Sequence, residues 1–304
     1  MSTLLLSPNQ IDRAVSLLKA GEPVAIPTET VYGLAAPIFN EEGVKKIFFL
    51  KGRPSDNPLI AHVTSLEMAE QVVDTSSPHF RPLVNRFWPG PLTLVLPKKE
   101  RVPDIVSGGH STLGVRMPKH KIALQLIEAV GEPLVAPSAN LSGKPSPTCF
   151  EHVLEDFAAT LAAVIDGGEC SLGIESTVLS LVGETPVILR PGSITREQLE
   201  KVLRCSIAIA DEKTPAVSPG MKYRHYAPKG TVRIISHPSE IGGAFVLSKD
   251  PISPYLHRPL SAKTFYMYLR EADRTGAEVI WVFLDPVSAT DEALMNRLLR
   301  SAGF

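Results

Sequence analysis

The feature that most constrains this chain is a succession of short apolar runs: PLIAHV, PLTLVL, LGVRM, PLVAP, AAVID, STVLSL and PVILR. Each has the length of a strand, and helical stretches such as Lys121 to Val130 and Phe150 to Leu161 separate several of them. Short strands interleaved with helices predict an α/β layer architecture. STVLSL and PVILR follow one another with no helix between, so the open, twisted sheet is expected to be mixed. A further short strand is expected over Pro23 to Pro27. The helix before it opens with Ser7-Pro8-Asn9-Gln10, a capping box with proline at its first position. Ile11, Ala14, Val15 and Leu18 give that helix one apolar stripe, and Gly21 closes it. Val44, Ile47 and Phe48 mark another helix, ending at Lys51-Gly52-Arg53.

After Ala210 the pattern changes. DEKTPAVSPGMKYRHYAPKG has no apolar period and gathers prolines, glycines, basic residues and aromatics, as a linker or binding loop does. Beyond it, TVRIIS, GAFVLS and EVIWVFL read as strands, and Phe265 to Arg274 and Glu292 to Leu299 as helices. The expected organisation is a large α/β domain over 1–210, a linker over 211–230 and a smaller, Rossmann-like α/β domain over 231–304.

Charge and composition narrow the function. The formal net charge is −1 and the pI about 6.7, so no global field attracts nucleic acid, and any anion site must be a local pocket. Cys149, Cys170 and Cys205 are far apart and odd in number, which implies neither a disulfide framework nor a zinc site and fits a reducing, cytoplasmic setting. MSTLLLSPNQ is too short in apolar residues for a signal-peptide core, and no run approaches a membrane span. The common phosphate-binding loops are absent: Gly143-Lys144 is followed by proline, and no GxGxxG follows a strand.

Polar groups instead collect at strand ends. PTETVYGL puts Thr28, Glu29, Thr30 and Tyr32 just after the first strand, and KGRPSDN puts Lys51, Arg53, Ser55 and Asn57 just before the second. STLGVRMP carries Thr112 and Arg116, and PSANLSGKPSPT carries Ser138, Asn140, Ser142, Lys144, Ser146 and Thr148. GIESTV and ILRPG add Ser176, Thr177 and Arg190. Ligands of open α/β sheets bind where such loops converge, and arginine forks suit phosphate or carboxylate. Each cluster also has a plainer reading. An arginine in a strand is more often an edge residue or a structural ion pair, and a histidine such as His62 more often a satisfied core residue. Thr28 and Thr30 serve equally as β-formers beside a turn, SANLSGKPS as a loop of Asx turns, and KYRHY as a solvated linker. Five such clusters together are poorly explained as five accidents.

PTETVYGL, KGRPSDNPL, GVRMP, PSANLSGKPSPT and GIESTVL, in this order, resemble the YrdC-like domain of threonylcarbamoyl-AMP synthases over about Leu6 to Ala210. SPGMKYRHYAP and the tail ALMNRLLRSAG look like the linker and C-terminal domain of the two-domain form of that family. The resemblance implies a nucleotidyltransferase that makes L-threonylcarbamoyladenylate and pyrophosphate from L-threonine, bicarbonate or CO2, and ATP. A downstream transferase complex then passes the threonylcarbamoyl group to an adenosine beside the anticodon of tRNA. Magnesium is expected with the ATP phosphates, and no metal site on the protein itself.

Carried over by motif, the resemblance gives Thr30, His62, Arg116, Ala136 and Ser176 to L-threonine, with Arg116 on its carboxylate. It gives Arg53, Asn57, Thr112, Ser138, Ser146 and Arg190 to ATP, with His225 or Tyr226 of the linker reaching over the nucleotide as part of a lid. Lys51 and Arg53 face the phosphates as the catalytic cations. Three rival readings remain: a tRNA- or RNA-binding module without its own chemistry, a protein-carbamoylating enzyme like hydrogenase-maturation factors, and a ligand sensor. The near-neutral charge weighs against the first and the missing cysteine pairs against the second.

Overall fold

The computed structural model describes residues 3–211 and 225–304; most of the expected linker and lid, 212–224, lies outside them. The first sheet is built from β1 (Leu4–Leu6), β2 (Val24–Ile26), β3 (Gly33–Pro37), β4 (Ile60–His62), β5 (Leu92–Pro97), β6 (Thr112–Arg116), β7 (Leu134–Val135), β8 (Ala163–Ile165), β9 (Thr177–Ser180), β10 (Val187–Arg190) and β11 (Ala208–Ile209). Their order is β1-β8-β2-β3-β7-β4-β6-β5-β9-β10-β11. The pairing is mixed: β4 and β6 run parallel, whereas β9 and β10 run antiparallel. Residues of β2, β4, β8 and β9 are buried throughout, which is why these strands read as continuous apolar runs rather than alternating ones.

Helices α1 (Ile11–Lys19), α2 (Glu41–Lys51), α3 (Leu66–Glu70), α4 (Phe80–Phe87), α5 (Asp104–Ser107), α6 (Lys121–Val130), α7 (Phe150–Phe157) and α8 (Arg196–Leu203) cover this sheet. The box at Ser7 forms as a short 3-10 turn ahead of α1, where the Gln10 side chain accepts from the Ser7 N–H at 2.9 Å. α2 ends as its sequence requires, with Gly52 left-handed at φ 58° so that the chain can turn toward Arg53. Two strands of this sheet went unread in the sequence, as did β14 (Arg258–Pro259) of the second. GLAAP forms β3, carried by its place between β2 and β7 rather than by β-branched residues, and LLL forms the edge strand β1. The strand fed by KGRPSDN is therefore β4, not the second. α7 also stops at Phe157, four residues short of Leu161, because the chain turns there to enter β8.

The second sheet is wholly parallel, ordered β12 (Thr231–Ile235), β15 (Val279–Phe283), β13 (Val246–Ser248), β14 (Arg258–Pro259), and is flanked by α9 (Phe265–Thr275) and α10 (Glu292–Ala302). Its apolar core also takes in Val31 and Ile174 from the first sheet's loops, so the two units share packing. Ion pairs reinforce the contact. Arg270 of α9 meets Glu155 and Asp156 of α7, each at 3.0 Å, and donates to the Pro145 carbonyl at 2.7 Å. Among the described residues no helix is long and apolar enough to cross a membrane.

Candidate active site

The loops after β2 and β7, the C-terminus of α2, the ends of β4 and β6, and the turns flanking β9 and β10 converge on one cavity. A close approach of backbone closes its floor: a Cβ on Gly33 would meet the Ala136 methyl at 3.0 Å, and Gly33 bridges Ser138. A side chain at that position would press the β7 loop a few tenths of an ångström away from β3.

At one end Arg116 is the hub. It lies on β6, between β4 and β5 in the sheet interior, so the edge-residue reading does not hold. The ion-pair reading does: its Nη1 meets the buried Glu29 carboxylate at 3.0 Å. Nη2 donates to Thr30 Oγ1 at 3.1 Å and Nε to His62 Nε2 at 3.3 Å. These bonds leave one N–H on each terminal nitrogen for a further acceptor. Burial lowers the Arg116 pKa while Glu29 opposes that change.

His62 is fixed by the same bonds. Because Nε2 accepts from Arg116, the proton belongs on Nδ1, which lies 3.1 Å from the Ile60 carbonyl and donates to it. Burial, and then the Arg116 guanidinium, hold its pKa at about 3. His62 is thus both a satisfied core histidine and a cavity wall. We expect its ring to remain the neutral Nδ1–H tautomer from pH 5 to 9; nitrogen chemical shifts that titrate in that window would refute the assignment.

At the other end Lys51 and Arg53 emerge from the α2 C-terminus. Lys51 is buried and its Nζ donates to the Ser138 and Asn140 carbonyls, bracing the PSAN loop. Burial, then the neighbouring Arg53 charge, push the Lys51 pKa well down. Arg53 donates to the Asn57 and Pro58 carbonyls at 3.2 and 2.9 Å. Across the cavity, Arg190 of β10 donates to the Ser176 carbonyl from Nε and Nη2 at 3.2 and 3.1 Å, and to Ser176 Oγ at 3.3 Å. Ser176 Oγ also lies 2.7 Å from Thr93 Oγ1. His225 and Tyr226 complete the wall, and burial followed by Arg53 holds His225 at about 4.

The structure therefore gathers Thr30, Lys51, Arg53, His62, Arg116, Ala136, Ser138, Ser176, Arg190, His225 and Tyr226 around one space. Asn57, Thr112 and Ser146 stand outside that lining. Asn57 is buried in the turn that Arg53 caps, and Thr112 begins β6, at the opposite end from Arg116, with its hydroxyl buried and unpartnered. Ser146 points its hydroxyl into the carboxylate of Glu175, which does line the cavity. Glu175 escaped the sequence reading, although it stands beside Ser176 in GIESTV. Its buried carboxylate accepts from Arg297 Nε at 2.8 Å and Tyr266 Oη at 2.9 Å. Nothing in the helical pattern of ALMNRLLRSAG marks Arg297 as an inward-facing partner.

A family model described as telomere recombination, covering Sua5, YciO and YrdC, matches residues 16–192. A second, described as threonylcarbamoyl-AMP synthase, C-terminal domain, matches residues 194–251. The threonylcarbamoyl-AMP synthase of Pyrococcus abyssi is 42% identical over 318 residues, spanning 96% of this chain and 93% of the relative. That of Bacillus subtilis is 42% identical over 322 residues, spanning 97% and 93%. A crystal structure of P. abyssi Sua5 complexed with L-threonine superposes with a TM-score of 0.91 at 40% identity, covering 100% of this chain and 98% of the other.

Proposed function

We propose, from the premise that this chain belongs to the two-domain threonylcarbamoyl-AMP synthase family, that it condenses L-threonine, bicarbonate or CO2, and ATP to L-threonylcarbamoyladenylate and pyrophosphate. The observation that carries the proposal is that an arginine–histidine–threonine cluster and a separate set of cations line one cavity. Arg116, with an N–H free on each terminal nitrogen, takes the threonine carboxylate as a fork. Thr30, Ser176 and the neutral His62 fix the rest of the amino acid, with Ala136 as the wall behind it. Lys51, Arg53 and Arg190 face the triphosphate, with Ser138 and His225 on its flanks and Asn57 and Ser146 supporting from outside the lining.

The chemistry asks little covalent help of the protein. The amine of threonine adds to CO2, forming a C–N bond and losing a proton. A carbamate oxygen then attacks the α-phosphorus as the bond to pyrophosphate breaks. Positioning and charge neutralisation supply the acceleration. Burial and then the Arg53 charge disfavour the charged form of Lys51, and a bound polyanion opposes that effect. Among the described residues no group of three or more His, Cys, Asp or Glu side chains is placed to hold a metal. Magnesium enters this proposal as part of the ATP substrate. The product's consumer is a transferase acting on tRNA, and the setting is the cytoplasm.

The test is pyrophosphate release by the purified chain with each substrate omitted in turn. Release that requires threonine, bicarbonate and ATP together supports the proposal. Release without threonine, or none with all three present, overturns it and leaves a binding module or sensor.

A further inference from the structure

Glu175 joins the two units at the cavity wall. Its Oε1 accepts from Ser146 Oγ, and its Oε2 from Tyr266 Oη of α9 and Arg297 Nε of α10. Arg297 is completely buried, an unusual place for a guanidinium unless its donors are used. They are: Nη1 donates to the Pro191 carbonyl at 2.9 Å and to Asn296 Oδ1 at 2.8 Å, and Nη2 lies 3.4 Å from the Glu175 carbonyl. One side chain of the second unit thus ties the residue entering β9, beside Ser176, to the residue leaving β10, beside Arg190. Arg190 itself grips Ser176. The Tyr226 ring, 5.6 Å from the Arg297 guanidinium and 5.3 Å from the Tyr266 ring, packs on the same cluster.

We propose that Arg297 and Tyr266 are positioning residues of the first unit's site, acting through Glu175 to hold Ser146, Ser176 and Arg190 in register. The proposal rests on the reading of the cavity as the threonine and ATP site. A cluster serving only cohesion of the two units has no need to end on a carboxylate in the cavity wall. The Arg270 pairs with Glu155 and Asp156 already provide cohesion outside that lining. The groups facing Glu175 are Arg297 and Tyr266 from the second unit, Arg190 from β10, Ser146 from the PSAN loop and His225. Burial raises the Glu175 pKa, but Arg297, then Arg190, and the Ser146 bond more than offset that and bring it to about 2. The wild-type carboxylate is therefore ionised at every working pH.

Arg297→Met removes the largest of those opposing charges and leaves the burial. The Glu175 pKa then rises, and the acceptor form is lost as pH falls through the new value. Expected for Arg297→Met is a kcat/KM lower by about 10²-fold, the scale on which small misplacements act, with an acid limb absent from the wild type. Arg297→Lys keeps the charge and should restore the flat acid side. One ammonium cannot span Glu175 and Pro191, however, so part of the rate loss should persist. Glu175→Gln should lose a similar factor with no acid limb, and combining it with Arg297→Met should add little. Pyrophosphate release and ATP and threonine titrations read all of these, with circular dichroism as the fold check. If Arg297→Met does not fold, the isosteric Glu175→Gln and Tyr266→Phe carry the test. Folded variants with wild-type constants for both substrates and an unchanged acid side overturn the proposal. A wild type that releases no pyrophosphate overturns the functional reading itself, and that result is visible before any variant is made.

Discussion

Arg116→Ala is expected to lose about 3–5 kcal/mol of stability, as removal of one partner from a buried ion pair does, together with most of the affinity for L-threonine. The two losses have one origin. Glu29 and Arg116 are both buried, and the substitution leaves the Glu29 carboxylate in the interior without its countercharge. Thr30 Oγ1 and His62 Nε2 lose a donor at the same time. The threonine carboxylate then meets a methyl group where a guanidinium fork had stood. ATP affinity should fall much less, because Lys51, Arg53 and Arg190 lie on other elements. Arg116→Lys separates the effects: it keeps a charge for Glu29 but removes the fork, so the urea midpoint should largely recover while threonine binding does not. An Arg116→Ala chain that unfolds at the wild-type midpoint would show that Glu29 does not depend on it. Equal weakening of both substrates would contradict the assignment of Arg116 to the amino acid.

Arg53→Ala should lower turnover by roughly 10²-fold, the usual loss on removing a preorganised charge contact at a reacting centre. Stability should fall by about 1–2 kcal/mol, since two hydrogen bonds, to Asn57 and Pro58, disappear at about 1 kcal/mol each. A second readout needs no activity. Burial, then the Arg53 charge, hold His225 at about 4, so removing the arginine should raise that pKa. Proton NMR of the His225 ring would follow it. Near-normal turnover with an unmoved His225 would take Arg53 out of the site.

The parts of this molecule that sequence reveals are those set by local periodicity. α1, α2 and α6 carry their own caps and stripes, and the buried strands β4, β5 and β9 are continuous apolar runs. β3 escaped because GLAAP contains no β-branched residue and owes its conformation to neighbours far away in sequence. The same contrast separates the site residues. Thr30, Arg53, His62 and Arg116 stand in distinctive motifs, and Thr30, His62 and Arg116 each had a plainer reading as well. For Arg116 and His62 the ion pair and the core hydrogen bonds of the plainer readings do form, and the same side chains line the cavity. Glu175 and Arg297 lie 122 residues apart, and no short-range pattern pairs them. Only the docking of α10 against the segments that enter β9 and leave β10 brings them together.

The strand order of the large sheet has a consequence for synthesis of the chain. β1 pairs with β8, Leu4 opposite Ala163, so β1 has no partner until about 160 residues after it is made. At ~5–20 residues per second that interval is roughly 8–30 s. β7, in turn, inserts between β3 and β4, both made long before it. Hairpins such as β2–β3, β5–β6 and β9–β10 can close as they emerge, but the sheet cannot. High contact order of this kind slows folding, and it leaves LLL and its apolar neighbours as unpaired edges for the whole interval. A nascent chain of this topology therefore presents an unpaired, aggregation-prone edge until β8 has been made.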